Sequence, residues 1–256
     1  MAISLVGDNL TDAWLEDLDY LIDHGDTLNL VTTIMDPDPD RADARVIAEL
    51  DAWLLGNGKQ RVGTVANTIF PTAYLRGCGD RHQFYDRYRA ALPRLHKQNG
   101  NGHGTYFERL IEYPASADVK RGKTMNQIEG IIQKLRTELS GRGPKRFAYQ
   151  AQVFAPGRDD TTSMGFPCLS FVSFQLYGRR LCLTAMYRNH YYFQRALGNF
   201  IGLAHLQRFV AKEVGLELGS LTVHACHAEI ESLIGQRRAK ELRRACKASA
   251  TEAIAA

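Results

Sequence analysis

Phe166-Pro167-Cys168, Tyr187-Arg188-Asn189-His190 and Leu197-Gly198-Asn199 decide how this chain is read. Between the first two lie a pair of strand-like runs. At Asn199 an amphipathic helix begins, with Leu203, Leu206, Phe209 and Val210 on one side. Twenty residues separate Cys168 from Arg188, and eleven separate Arg188 from Asn199. An arginine beside a cysteine stabilises its thiolate. A carboxamide offers both a donor and an acceptor to a planar ring. Each residue also has a plain structural reading, since Cys168 suits a buried position beside a strand and Asn199 suits a helix N-cap.

Working outward, residues 9–24 have the period of an amphipathic helix, with Trp14, Leu15, Leu18, Leu21 and Ile22 on one face and Gly25 as a stop. Residues 28–33 read as a strand. Asp36-Pro37-Asp38-Pro39-Asp40 is a breaker whose last aspartate is placed to cap a helix carrying Val46, Ile47, Leu50, Trp53 and Leu54. Glycine is frequent over 56–79 and no long period stands out, and residues 62–74 predict a short strand and a turn; residues 82–96 predict a helix. Asn99-Gly100-Asn101-Gly102-His103-Gly104 is a loop by composition and lacks the Gly-Lys-Ser/Thr ending of a phosphate-binding P-loop. A helix follows over 126–139, then a half-buried strand alternating through Phe147, Tyr149, Ala151 and Val153, and a later strand over 221–227. The basic residues between 230 and 249 suit the solvated face of a helix.

Composition is that of an ordinary globular chain: 256 residues, 45% hydrophobic, 23% charged, with a formal net charge of +4. That charge suits an anionic small molecule and gives no footprint for nucleic acid. There is no membrane-spanning run and no signal-peptide pattern, so a cytoplasmic location is expected. The five scattered cysteines include no CxxC pair and predict free thiols. His224, Cys226 and His227 alternate along a strand and so divide between its faces, and no metal site is expected.

Pro167-Cys168, Arg188 and Asn199, in this order, resemble the nucleotide site of thymidylate synthase and its pyrimidine hydroxymethylase relatives. The resemblance follows the element order from about residue 9 to 231 and is most specific from Lys145 to Gly219. It implies an α/β fold: a mixed β-sheet with flanking helices, two copies packing sheet to sheet as a homodimer. Residues 1–256 would form a single domain, with a basic helix and tail from about 230. It implies that Cys168 is a nucleophile that adds to C6 of a pyrimidine and makes C5 nucleophilic. Arg188 would bind phosphate and favour the thiolate, and Asn199 would read a uracil-type base, since family members acting on cytosine tend to carry aspartate there. Lys145-Arg146 stands where the family has an arginine pair that reaches the partner's nucleotide phosphate; lysine keeps the charge without the bidentate fork. Glu49 is the nearest counterpart of the family's catalytic glutamate. A His-x-Tyr pair that holds the sugar is represented by His227 and Glu229 or, without a gap, by Glu229 and Glu231. The implied substrate is a pyrimidine nucleotide, the implied donor 5,10-methylenetetrahydrofolate, and the implied product a C5-methyl or C5-hydroxymethyl nucleotide.

The chain also departs from the family. Gly25-Asp26-Thr27 replaces a loop with a phosphate-binding arginine. Asn189 and Tyr191 stand where the family has serine and aspartate, Leu169 where it has histidine, and Arg195-Ala196-Leu197-Gly198-Asn199 where it has Gly-x-Pro-Phe-Asn. The family's closing C-terminal segment has no counterpart in the sequence, which is expected to weaken folate ordering and favour water capture. Two functions fit these residues: a C5 transferase, or a non-catalytic nucleotide-binding or dimer-forming protein of the same fold.

Overall fold

In a computed structural model of the chain, residues 2–98, 101–102, 104–114, 124–141, 143–156, 158–159, 167–231 and 235–254 are described. Asn99, Gly100 and His103 of the glycine-rich loop, and Phe166, lie outside them. Strand β1 (Ile3–Gly7) runs parallel to β2 (Thr27–Ile34), and α1 (Leu10–His24) crosses between them. Asn9 caps α1 by accepting from the N–H groups of Thr11 and Asp12, and Gly25 ends it at φ 82°, a conformation that suits glycine. Strand β1 is absent from the sequence reading, its five residues being too few for a clear period.

Helix α2 (Ala44–Gly56) is capped by Asp43 rather than Asp40, because a 3-10 turn (Pro39–Arg41) capped by Asp38 takes up the proline-rich segment first. Residues 62–74 form α3 (Val62–Ile69) and the single turn α4 (Thr72–Leu75) in place of the expected strand and turn. Val62, Val65, Ala66 and Ile69 recur at helix spacing and are all buried; packing on that stripe outweighs their β-branching. Helices α5 (Arg81–Leu95) and α6 (Tyr106–Ile111) are capped by Asp80 and Thr105. The short ribbon β3 (Tyr113–Pro114) and β4 (Thr124–Met125) precedes α7 (Gln127–Ser140).

The second half supplies most of the sheet. It comprises β5 (Tyr149–Gln152), β6 (Leu169–Tyr177), β7 (Arg180–Tyr187), β8 (His190–Tyr191), a π-helical turn (Tyr192–Ala196), α8 (Leu197–Val214), β9 (Glu217–Glu229) and α9 (Gly235–Ile254). The strand order is β1-β2-β9-β7-β6-β5, with β8 also pairing with β9. The sheet is mixed: β9 is parallel to β7 and antiparallel to β2. Along β7 and β9 alternate residues (Leu181, Leu183, Ala185, Leu221, Val223, Ala225) are buried in the core that α1 and α8 share. The residues between them are half-exposed on the other face. No described helix is long and apolar enough to cross a membrane.

Helix α8 meets α3 backbone to backbone. A Cβ at Gly198 would lie 2.6 Å from the Val65 Cβ, and one at Gly202 would lie 2.7 Å from the Ala66 carbonyl oxygen. Helix α9 is less solvated than its charge suggests. Ala239, Leu242 and Cys246 are buried, and Arg243 pairs with Asp19 and Asp23 of α1 at 3.6 and 3.3 Å; Lys247 also pairs with Asp19.

Asp17 of α1 is fully buried. Thr32 Oγ1 donates to its Oδ2 at 2.7 Å, its Oδ1 has no hydrogen-bond partner among the described residues, and burial pushes the carboxyl up to about 8. The folded protein therefore holds a proton that the unfolded chain releases near pH ~4. The stabilising contribution is full below that pH and is lost as pH rises toward about 8. Asp17→Asn keeps an acceptor for Thr32 and has no charge to bury. The urea midpoint of wild type is expected to drop between pH 5 and pH 8, and that of the variant to drop less; parallel drops would rule out Asp17 as the cause.

Candidate active site

The start of β6 and the end of β7 are tied at their tips. The Arg188 N–H donates to the Cys168 carbonyl at 2.9 Å, and Arg188 Nε donates to the Pro167 carbonyl at 3.2 Å. This antiparallel pairing places Cys168 and Arg188 together despite their separation in sequence. Beside them opens a cavity of about 300 Å³ whose walls include Cys168, Tyr106, Asn189, His190, Arg195 and Asn199. Helix α6 delivers Tyr106, the π-helical turn delivers Arg195, and α8 delivers Asn199.

The electrostatics of the thiol are a balance. Burial pushes Cys168 up, Arg188 and then Arg195 pull it down, and Glu229 pushes it up again. Burial wins, and the thiol sits above its ordinary value. Arg188 thus acts in the direction that favours the thiolate, and burial outweighs it. Tyr106 lies against Cys168, and burial, ahead of that neighbour, pushes its phenol up to about 12.

Asn199 is not an N-cap. Helix α8 begins at Leu197 after the π-helical turn, so Asn199 lies within its first turn and is 3% exposed. Its Nδ2 lies 3.0 Å from His190 Nε2, while its Oδ1 has no partner among the described residues. His190 is itself buried, stacked on Tyr187 at 4.2 Å and 5°, and burial lowers it to about 3, so its ring is neutral.

Behind the wall formed by Asn189 and Tyr191 stand His227 and Glu229. Asn189 Oδ1 is 2.7 Å from His227 Nδ1, and Asn189 Nδ2 donates to Glu229 Oε1 at 2.9 Å. Glu231, the other residue offered for the sugar pair, is buried; its carboxylate accepts from the N–H groups of Phe193 and Gln194 at 3.3 and 2.9 Å and holds the π-helical turn. Asp26, His227 and Glu229 each bring one donor atom within 4.8 Å of the others. The exposed Asp26 accepts from the Ile230 N–H, and Asn189 engages the other two. No metal role is assigned to them.

Lys145 and Arg146 are exposed in the turn before β5 and do not line the cavity. Their backbones are held: the Lys145 N–H donates to Glu138 Oε2 at 3.0 Å, and the Arg146 carbonyl accepts from Leu176 at 2.8 Å. Glu49 is exposed on α2, where its charge acts on Cys246 of α9, and it does not line the cavity either. Sequence reasoning gave no role to His190, Arg195 or Arg109. Arg109 is 2% exposed in the cavity wall and grips Asp159 through two hydrogen bonds of 2.7 and 2.9 Å. Tyr106 falls in Gly104-Thr105-Tyr106-Phe107, which sits where the resembled family has a Gly-x-x-Tyr segment before a helix; the other three carry no signal at local spacing.

Fold and cavity together define an α/β protein with a cysteine in the wall of a pocket that also carries polar and cationic side chains. No protein-family model matches the chain. It is 33% identical over 126 residues to a protein of Methanocaldococcus jannaschii named "Putative thymidylate synthase", a match covering 49% of this chain and 54% of that protein. A protein of the same name from Methanothermobacter thermautotrophicus is 40% identical over 106 residues, 41% of this chain and 45% of that protein. In both cases the chain spans about half the length of the relative it matches. A third, from Methanosarcina acetivorans, is 23% identical over 234 residues, 87% of this chain and 86% of that protein. These relatives bear out the resemblance to a divergent thymidylate synthase-like family.

Proposed function

We propose that this chain is a transferase that adds a one-carbon unit, methyl or hydroxymethyl, to C5 of a uracil-type pyrimidine nucleotide. One observation carries this reading: Cys168 and Asn199 line the same pocket, with Arg188 and Arg195 both acting on the thiol. In the proposed reaction the Cys168 thiolate bonds to C6, and the C5–C6 π pair moves onto C5 and O4. Asn199 holds the ring through N3–H and O4. Bond formation at C5 and loss of the C5 proton follow; the S–C6 bond then breaks, and the double bond and thiolate are restored. The guanidinium groups of Arg188 and Arg195 favour the ionised sulfur at each end of this cycle. Asn189 and Tyr191 separate His227 and Glu229 from the pocket, so contact of that pair with a sugar hydroxyl would run at the pocket's rim.

The implied donor, 5,10-methylenetetrahydrofolate, would supply the one-carbon unit when bound and, for a methyl product, the two-electron reduction as well, leaving as dihydrofolate; for a hydroxymethyl product water would complete the transfer and tetrahydrofolate would leave. A second cavity of about 260 Å³ shares Gln60, Thr68, Asn101 and Thr105 with the first, and adds the Tyr74 ring and the Asn67 carboxamide. Neutral hydrogen-bonding groups beside an aromatic ring fit a planar, polar heterocycle. These residues would hold it next to the pyrimidine.

The raised thiol favours a second reading, a nucleotide-binding protein without turnover. Release of tritium from C5-labelled dUMP, UMP, dCMP or CMP, with and without methylenetetrahydrofolate, separates the two. Release supports the transferase; saturable binding without release under any condition supports the second reading.

The homodimer is proposed on the open face of the sheet. Val31, His224, Met186 and Phe171 align in one row across β2, β9, β7 and β6, each half-exposed. Light scattering is expected to give twice 28.7 kDa for wild type and a shift to single chains for Met186→Asp. A monomeric wild type would refute this packing.

A further inference from the structure

His190 has no role in the reaction above, yet it is among the most constrained side chains of the pocket. Its ring is 1% exposed and clamped by three aromatic rings: Tyr187 at 4.2 Å, Tyr192 at 5.2 Å and Phe200 at 5.9 Å between centroids. It cannot turn without displacing them. Its Nε2 faces the Asn199 Nδ2 at 3.0 Å. With the Asn199 Nδ2, a donor only, facing the ring, Nε2 is the acceptor and the proton of the neutral ring falls to Nδ1, a buried atom with no hydrogen-bond partner among the described residues. The second hydrogen on Nδ2 and the unpartnered Oδ1 of Asn199 then remain for a ligand.

We propose that His190 sets the base preference of the pocket by fixing the orientation of the Asn199 amide, so that Oδ1 receives a ring N–H and uracil is chosen over cytosine. The inference rests on the pyrimidine-nucleotide reading above. Uracil presents N3–H and a carbonyl O4, which match an acceptor and a donor. Cytosine presents an unprotonated N3 and an amino group, the reverse pattern. Pairing with cytosine would require the Asn199 amide to turn over, bringing Oδ1 against the Nε2 lone pair. To relieve that clash, the proton would have to move from Nδ1 to Nε2 in a ring sealed from solvent. Burial lowers His190 to about 3, so a second, solvent-derived proton is not held at neutral pH either. One neutral histidine tautomer thus excludes one of two nearly isosteric rings. His190 is a positioning residue: it acts through Asn199 and needs no contact with the substrate.

The test compares wild type with His190→Phe, which keeps an aromatic ring in the stack and removes both ring nitrogens. Dissociation constants for dUMP and dCMP are measured for each by calorimetry, with thermal melts as a check that both proteins are folded. Wild type is expected to favour dUMP by at least about tenfold, and the variant by much less, because the amide is free to present either edge. An unchanged ratio in a folded variant overturns the role of His190 while leaving the functional reading in place. Nitrogen-15 NMR of wild type supplies an arm that needs no nucleotide: Nδ1 is expected to carry the proton and Nε2 to be bare, and a protonated Nε2 overturns the proposal. If wild type binds neither nucleotide, the functional reading falls and base choice falls with it, whichever tautomer is seen. Should Phe fail to fold, His190→Gln takes its place; it offers Asn199 both a donor and an acceptor, and the same narrowing of the ratio is expected.

Discussion

Cys168→Ala is expected to reduce release of C5 tritium by at least about a thousandfold, because the attacking atom is gone and no neighbouring group can replace it. Nucleotide binding should change little, since Asn199, Arg188 and Arg195 remain. That split between binding and turnover distinguishes a nucleophile from a side chain that merely fills the pocket. The pH profile of wild type adds a second signature. Burial holds Cys168 above its ordinary value despite Arg188 and Arg195, so the reactive thiolate is a minor species at neutral pH. Release should therefore rise about tenfold per pH unit until the thiol ionises, then level off. Removing a guanidinium, as in Arg188→Met, takes away the largest of the influences opposing burial and should carry the rise to higher pH. Release that persists undiminished in Cys168→Ala would end the covalent mechanism.

Arg109→Met is expected to cost about 3–5 kcal/mol of folding stability. Arg109 and Asp159 are 2% and 3% exposed, and their fork-to-fork pairing, with the Ala155 N–H donating to Asp159 Oδ2 at 2.9 Å, holds both charges in the interior. Removing the cation leaves the Asp159 carboxylate with the Ala155 N–H and the Arg158 charge, which offset less of its desolvation cost. Replacing both partners, Arg109→Met with Asp159→Leu, removes that charge and should recover much of the loss. Urea denaturation of the two variants and wild type decides the point. A double variant as unstable as the single one would place the effect in packing and not in charge.

Much of the fold follows from local rules that act alone. Asn9 and Asn126 cap α1 and α7 where sequence predicts those helices to start, and Gly25 ends α1, because a cap needs only its own turn. The reading fails where a partner far along the chain decides. Residues 62–69 are helical because α8 brings two glycines against them, an approach invisible within that segment. Asp43 supplants Asp40 because two prolines and a 3-10 turn delay α2. At the site, Cys168, Arg188 and Asn199 are legible together because strand pairing and helix phase convert their spacing into proximity. The choice between His227 with Glu229 and Glu229 with Glu231 is not legible, since it depends on Glu231 turning inward to hold Phe193 and Gln194. Lys145, Arg146 and Glu49 carry charge and position but no signal of which surface they face; within one chain, they face outward.

The contact at Gly198 and Gly202 has a mechanical meaning. Where two glycines of α8 pack on the backbone of α3 and on the short, stiff Val65 and Ile69 side chains, little lies between the helices to bend, so α3 and α8 form a single strut. Asn199 rides on one limb of it, and Thr68, whose side chain belongs to both cavities, rides on the other. A ring in the first cavity and a heterocycle in the second would thus be gauged against one ruler. Adjustment of the first cavity to its occupant would fall to walls off that strut, such as Tyr106 at the start of α6 and Arg195 of the π-helical turn.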